Sequence, residues 1–230
     1  QKMRGYDYQN DPDLEAHARV TRQSASEGMV LLKNDGALPL AAASNVALLG
    51  ITSYDFLAGG TGSGDVNEAY TVSLEDGLAN ADFEVNVLAR DAYLRHRAAH
   101  EDAFVKPEGH AAMFVPYAPP EMSLTAKEFS DIAAQADVAI VTIGRNSGEG
   151  GDRREEGDFL LRAEEQALIK AASAAFSAVG KQVIVVLNIG GVIETSSWTT
   201  LPNAILLAWQ GGQEGGNSVA DILSGRVNPS

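Results

Sequence analysis

Four short, continuous apolar runs constrain this chain more than any other feature. They are Val46-Ala47-Leu48-Leu49-Gly50-Ile51, Val138-Ala139-Ile140-Val141-Thr142-Ile143, Val183-Ile184-Val185-Val186-Leu187 and Ala204-Ile205-Leu206-Leu207-Ala208-Trp209. Runs of this length, rich in β-branched residues and without polar alternation, are strands covered on both faces. Segments with apolar residues at helical spacing lie between and after them: Ser73 to Asn80, Arg90 to Phe104, Thr125 to Ala136, Ala163 to Val179 and Glu214 to Ser224. Parallel strands need a crossover helix to return the chain, so this alternation implies a mostly parallel sheet with helices on both faces. The expected fold class is α/β, with five to six strands in flavodoxin-like layering.

Ahead of the first run, Asp13 can cap a helix over Leu14 to Gly28, in which Leu14, Ala18, Thr21, Ala25 and the following Met29 keep helical spacing. Val30-Leu31-Leu32 then leads to a turn at Asn34-Asp35-Gly36, and Phe83 to Leu88 is a further strand candidate. Lys106 to Pro120, with Pro107, Pro116, Pro119 and Pro120, reads as an irregular insertion between helices. With 230 residues the chain is near the upper limit for one hydrophobic core. We therefore expect residues 1–12 to form a linker and 13–230 a single α/β domain. The chain has no initiating Met and stops at the turn-like Asn228-Pro229-Ser230, as expected of a piece of something longer. Gln1 to Asn10 has no basic segment followed by an apolar stretch, so a targeting signal would lie outside this chain and localisation stays open.

Composition narrows the function classes. Seventeen Lys and Arg against 31 Asp and Glu give a net charge of −14, which opposes binding to phosphate backbones or anionic lipid. Nucleic acid and membrane surfaces are therefore not expected partners. With no Cys, disulfides, thiolate metal sites and Cys nucleophiles are ruled out.

In open parallel sheets, ligands bind where loops gather beyond the carboxyl ends of the strands. The unusual residues of this chain stand there. Gly59-Gly60-Thr61-Gly62-Ser63-Gly64-Asp65 follows the first run, and Arg145-Asn146-Ser147-Gly148-Glu149-Gly150-Gly151-Asp152-Arg153-Arg154-Glu155-Glu156 follows the second. Asn188-Ile189-Gly190-Gly191 follows the third, and Gln210-Gly211-Gly212-Gln213-Glu214-Gly215-Gly216 the fourth. Ser63, between glycines, offers a hydroxyl to a sugar or other polyol. Glu149 also lies between glycines, which leave its carboxyl sterically open for acid/base work on a bulky substrate.

Competing chemistries lack their motifs. No G-x-G-x-x-G opens a helix at a strand end and no G-x-x-x-x-G-K-[ST] occurs, which disfavours a nucleotide-binding doubly wound domain. No serine stands in a G-x-S-x-G elbow. His96 and His100 form an i,i+4 pair without a third metal ligand, and Trp198 and Trp209 read as packing residues near strand ends.

Together these segments resemble the second, α/β-sandwich domain of glycoside hydrolase family 3, the β-glucosidase and β-xylosidase family. The resemblance is carried by Ser26 to Asn34 with Ala37-Leu38-Pro39-Leu40, by Gly59 to Gly64, by Ser147-Gly148-Glu149-Gly150 with Asp152-Arg153, by Trp209 to Gly216, and by Gly225 to Ser230. It implies a six-stranded sandwich and a retaining hydrolase whose carboxylate nucleophile is on a separate barrel domain. On that matching Glu149 is the general acid/base, and Ser63, with Gly62, contacts the sugar. Asp152 and Arg153 would support the Glu149 loop. The partners implied are a carbohydrate, most often a β-linked glucoside, and the barrel of the same polypeptide; no cofactor or metal is implied.

The family's Ser-Asp-Trp-like nucleophile segment is absent from these residues. Retention requires two carboxyl groups about 5–5.5 Å apart. The isolated chain is accordingly expected to fold but not to hydrolyse glycosides. The alternative is a non-catalytic sugar-binding or interaction module.

Overall fold

A computed structural model describes residues 10–107, 117–147 and 152–230. Its centre is a six-stranded sheet in the order β1-β6-β5-β4-β2-β3, with β1 Val30–Asn34, β2 Asn45–Leu49, β3 Glu84–Val85, β4 Val138–Arg145, β5 Gln182–Ile189 and β6 Ala204–Leu207. β2 to β6 run parallel, and β1 joins the β6 edge antiparallel. The expected α/β class, mostly parallel and covered on both faces, is the one observed.

The central strands are the most apolar because no water reaches either face. Ile140, Val141, Val185 and Val186 have no exposed surface. The one polar residue inside the second run, Thr142, is also buried, and its hydroxyl is 2.7 Å from that of Ser53, so its polarity is satisfied inside the core.

Among the described residues six α-helices flank the sheet: α1 Leu14–Gly28, α2 Leu74–Asn80, α3 Val87–Ala99, α4 Ala126–Gln135, α5 Ala163–Ala178 and α6 Gly215–Leu223. α1, α2 and α6 pack together in one layer, and α3, α4 and α5 in the other. α6 is buried along its whole length because it is sandwiched between its neighbours and the sheet. Side chains cap several helix starts, that of α1 through Asp13 as expected. Asp13 Oδ1 accepts from Ala16 N at 2.9 Å, and Thr125 and Glu128 form a reciprocal capping box on α4.

Three boundaries differ from the sequence reading. Phe83 to Leu88 contributes only the two-residue strand β3, because Asn86 leaves the sheet to cap α3 through its side chain at Ala89 N. α3 therefore starts at Val87, three residues earlier than Arg90, and ends at Ala99; Glu101–Phe104 is a separate 3₁₀ turn. The fourth run ends as a strand at Leu207, and Trp209 takes a left-handed φ of 56°. β1 is a strand that the sequence does not mark as one. Its residues pair with Ala204–Leu207 across the whole chain, a contact that no local pattern announces.

Candidate active site

Among the parallel strands the spatial order β3-β2-β4-β5-β6 reverses direction between β2 and β4. Crossovers leave this point in opposite directions, so the loops after β2 and β4 diverge and open a crevice. The crevice here is a cleft of about 1050 Å³, lined among others by Ile51, Thr52 and Thr61 after β2 and by Arg145, Asn146 and Ser147 after β4.

The walls meet closely because small residues stand at the crossing. Gly50 has φ 91°, and a Cβ there would fall 2.2 Å from the carbonyl oxygen of Thr142. A Cβ on Gly144 would fall 2.2 Å from the Thr52 methyl carbon. These glycines let the two strand ends touch, which no side chain larger than hydrogen permits.

At the cleft Arg145, buried, meets Glu165 of α5 in a two-pronged pair at 2.5 Å for each contact. Arg145 also donates to the carbonyls of Asp158 at 3.0 Å and Gly144 at 2.7 Å, and Arg162 reaches Glu165 at 2.9 Å. Burial by itself pushes the Glu165 carboxyl up, but the hydrogen bonds and charges of Arg145 and Arg162 outweigh it and hold the group below the usual carboxylate range.

A second carboxyl, Glu121, also lines the cleft. It accepts from Ile51 N at 2.9 Å, Met122 N at 2.9 Å and Tyr93 OH at 3.1 Å, and Tyr93 OH in turn accepts from Gly50 N at 2.6 Å. Burial raises its pKa above the ordinary value, against the lowering effect of those donors. Burial likewise raises the Tyr93 phenol well above its ordinary range.

Two side-chain amides join the loops above the strands. Asn188, at the end of β5, accepts from Leu57 N at 2.7 Å and donates to Leu57 O at 3.0 Å and to Trp209 O at 2.8 Å. Gln210, after β6, donates to Gly59 O at 2.8 Å and Asn146 Oδ1 at 3.1 Å.

The residues singled out from sequence fall around this cleft in different ways. Glu149 lies outside the described residues, while Ser147 and Asp152 to either side of it both line the cleft. Asp152 is exposed, and Arg153 pairs with Asp158 at 2.5 Å, its guanidinium packed over Gly191. Thr61 lines the cleft, whereas Gly62 and Ser63 form a 3₁₀ turn immediately after it, with Gly62 at φ 68°. Trp198 is buried, as a packing residue should be, but Trp209 is 37% exposed. His96 Nε2 lies 3.1 Å from the Pro120 carbonyl, and among the described residues no group of three or more His, Cys, Asp or Glu gathers as a metal site.

The model of the glycosyl hydrolase family 3 C-terminal domain matches residues 29–230. The chain belongs to glycoside hydrolase family 3. Among family members, β-glucosidase A of Butyrivibrio fibrisolvens is 36% identical over 93% of this chain, which spans 28% of that protein. Among solved structures, β-glucosidase 3B from Thermotoga neapolitana in complex with glucose is 41% identical with a TM-score of 0.89, covering 97% of this chain and 31% of that one. A β-glucosidase from Paenibacillus barengoltzii is 35% identical with a TM-score of 0.86, covering 97% and 24% respectively. The chain thus spans about a third or less of each of these three proteins.

Glu121, which lines the cleft, and Asn188 and Gln210, which join the loops around it, carry no motif that assigns them a role from sequence. Asn188 and Gln210 stand directly after apolar strand runs, a signal that placed them at the right edge but not their partners. Glu121 follows Pro119-Pro120 in an irregular stretch, and its contacts with Ile51 and Tyr93 come from folding alone.

Proposed function

We propose that this chain is the acid/base-bearing domain of a retaining β-glucosidase that hydrolyses terminal β-linked sugars, with Glu149 as general acid/base. Membership of family 3 supports this reading, as do relatives that are β-glucosidases. The observation that carries it is the position of Ser147 and Asp152. Both line the cleft at the switch point, so the six-residue segment they bound, Ser147-Gly148-Glu149-Gly150-Gly151-Asp152, begins and ends there.

In the first step Glu149 gives its proton to the glycosidic oxygen while an Asp carboxylate elsewhere in the polypeptide attacks the anomeric carbon; the C–O bond breaks and the alcohol leaves. In the second step Glu149 removes a proton from water, which displaces the sugar from the Asp. The glycines around Glu149 suit it to both roles, and Ser63 and Gly62 are the residues proposed to contact the sugar, with Asp152 and Arg153 supporting the loop.

Glu149→Ala in the full-length polypeptide tests this. Activity on alkyl β-glucosides should fall about 10²–10⁴-fold, and azide should restore turnover of activated aryl glucosides by yielding the glycosyl azide with retained configuration. Unchanged activity would overturn the assignment. The isolated chain, lacking the nucleophile, should fold without hydrolysing β-glucosides; turnover that vanishes in Glu149→Ala would contradict this. Glucose binding to the isolated chain at useful affinity would favour the non-catalytic sugar-binding module instead.

A further inference from the structure

Ser147 is engaged through every polar group it has. Its amide donates to Asn146 Oδ1 at 2.9 Å, its carbonyl accepts from Thr61 N at 2.6 Å and Thr61 Oγ1 at 3.2 Å, and its hydroxyl faces Gln210 Oε1 at 3.4 Å. Gln210 completes the set by donating to Gly59 O and Asn146 Oδ1. One amide therefore ties together the loops that follow β2, β4 and β6. The surroundings are closed to larger residues. A Cβ on Gly60 would fall 2.7 Å from the Ser147 carbonyl, and one on Gly190 would fall 2.2 Å from the Ser147 hydroxyl and 2.4 Å from Gln210 Oε1. A loop with no positional duty needs no such convergence from three strand ends.

From this convergence we propose that Gln210 is a positioning residue for the general acid, acting through Ser147, two residues ahead of Glu149. The inference rests on the acid/base reading of Glu149. An amide is the group the surroundings require. Its two N–H donors face the oxygens of Gly59 and Asn146 and its oxygen faces a hydroxyl, whereas a carboxylate would set acceptor against acceptor at the first two contacts.

The chemistry supplies a readout that simple loss of structure does not move. Dinitrophenolate departs without protonation, whereas an alkoxide requires it. A displacement of the acid by about 1 Å costs on the order of 10²-fold, and that loss belongs to alkyl glucosides alone. General disruption of the domain lowers both substrates alike.

The experiment compares kcat/KM for methyl β-glucoside and 2,4-dinitrophenyl β-glucoside in the full-length polypeptide, using the unaltered enzyme, Glu149→Gln, Gln210→Ala and Gln210→Glu. Both Gln210 variants should lose about 10²-fold on the methyl glucoside and severalfold or less on the dinitrophenyl glucoside. Equal losses on the two substrates, or none, while Glu149→Gln discriminates between them, would overturn the role of Gln210 and leave the acid assignment standing. If Glu149→Gln itself fails to discriminate, the acid assignment falls and the role of Gln210 falls with it. Should both Gln210 variants fail to fold, Ser147→Ala removes only the hydroxyl that faces Gln210. It should show the same selectivity at smaller size, and its absence counts against the proposal.

Discussion

Single residues set how firmly the cleft is built. Arg145 and Glu165 are buried together with matched hydrogen bonds, so removing one leaves the other as an unpaired charge out of water. Glu165→Ala should therefore destabilise the domain by about 3–5 kcal/mol, read as a lower denaturant midpoint with little change in slope. Glu165 and Glu121 should also give opposite pH dependences. The folded-state pKa of Glu165 is depressed, so its stabilisation is present above the unfolded value of about 4.3 and is lost as pH falls below it. That of Glu121 is raised, so its contribution is fully present below the unfolded value and shrinks as pH rises through the folded one. Denaturant melts from pH 3 to 8 should show a steeper acid loss of stability in the unaltered chain than in Glu165→Gln. An identical slope in the two would show that Glu165 is not held as described. Gly50→Ala would place a Cβ against the Thr142 carbonyl at a positive φ, and the combined clash and strain should cost at least about 3 kcal/mol.

At the scale of elements, legibility follows from whether the cause is local. The four apolar runs and five of the six helices were readable because burial on both faces and helical periodicity are written in contiguous residues; α3 was readable but displaced. The capping box of α4 is local in the same sense, and Thr125→Ala should cost about 1 kcal/mol in thermal or chemical melts, since Glu128 N loses its acceptor and the Glu128 carboxylate keeps only the backbone N–H of its two donors. A change of a few tenths would show that the box is dispensable. β1 and β3 were the difficult elements. β1 is an edge strand whose partner lies about 170 residues away, and β3 is cut short because Asn86 satisfies a helix terminus rather than a ladder. Neither competition can be judged without knowing what is adjacent in space.

For the molecule as a whole, the order of parallel strands puts the reversal between β2 and β4, and the cleft opens there. The glycine-rich loops could be assigned to that edge from sequence because each follows an apolar run, and the family could be identified because several such segments occur in one order. What those segments share at the site was not readable. Sequence alone determined the α/β class, the approximate elements, the absence of thiol chemistry and the candidate acid Glu149, since each depends on residue type, local period or motif. Only the tertiary structure decided that Gln210 meets Gly59 and Asn146, that Arg145 meets Glu165 and that Glu121 meets Tyr93. Those pairings join residues 20 to 151 positions apart, and they form because packing the helices on a twisted sheet leaves each polar group one place to be satisfied.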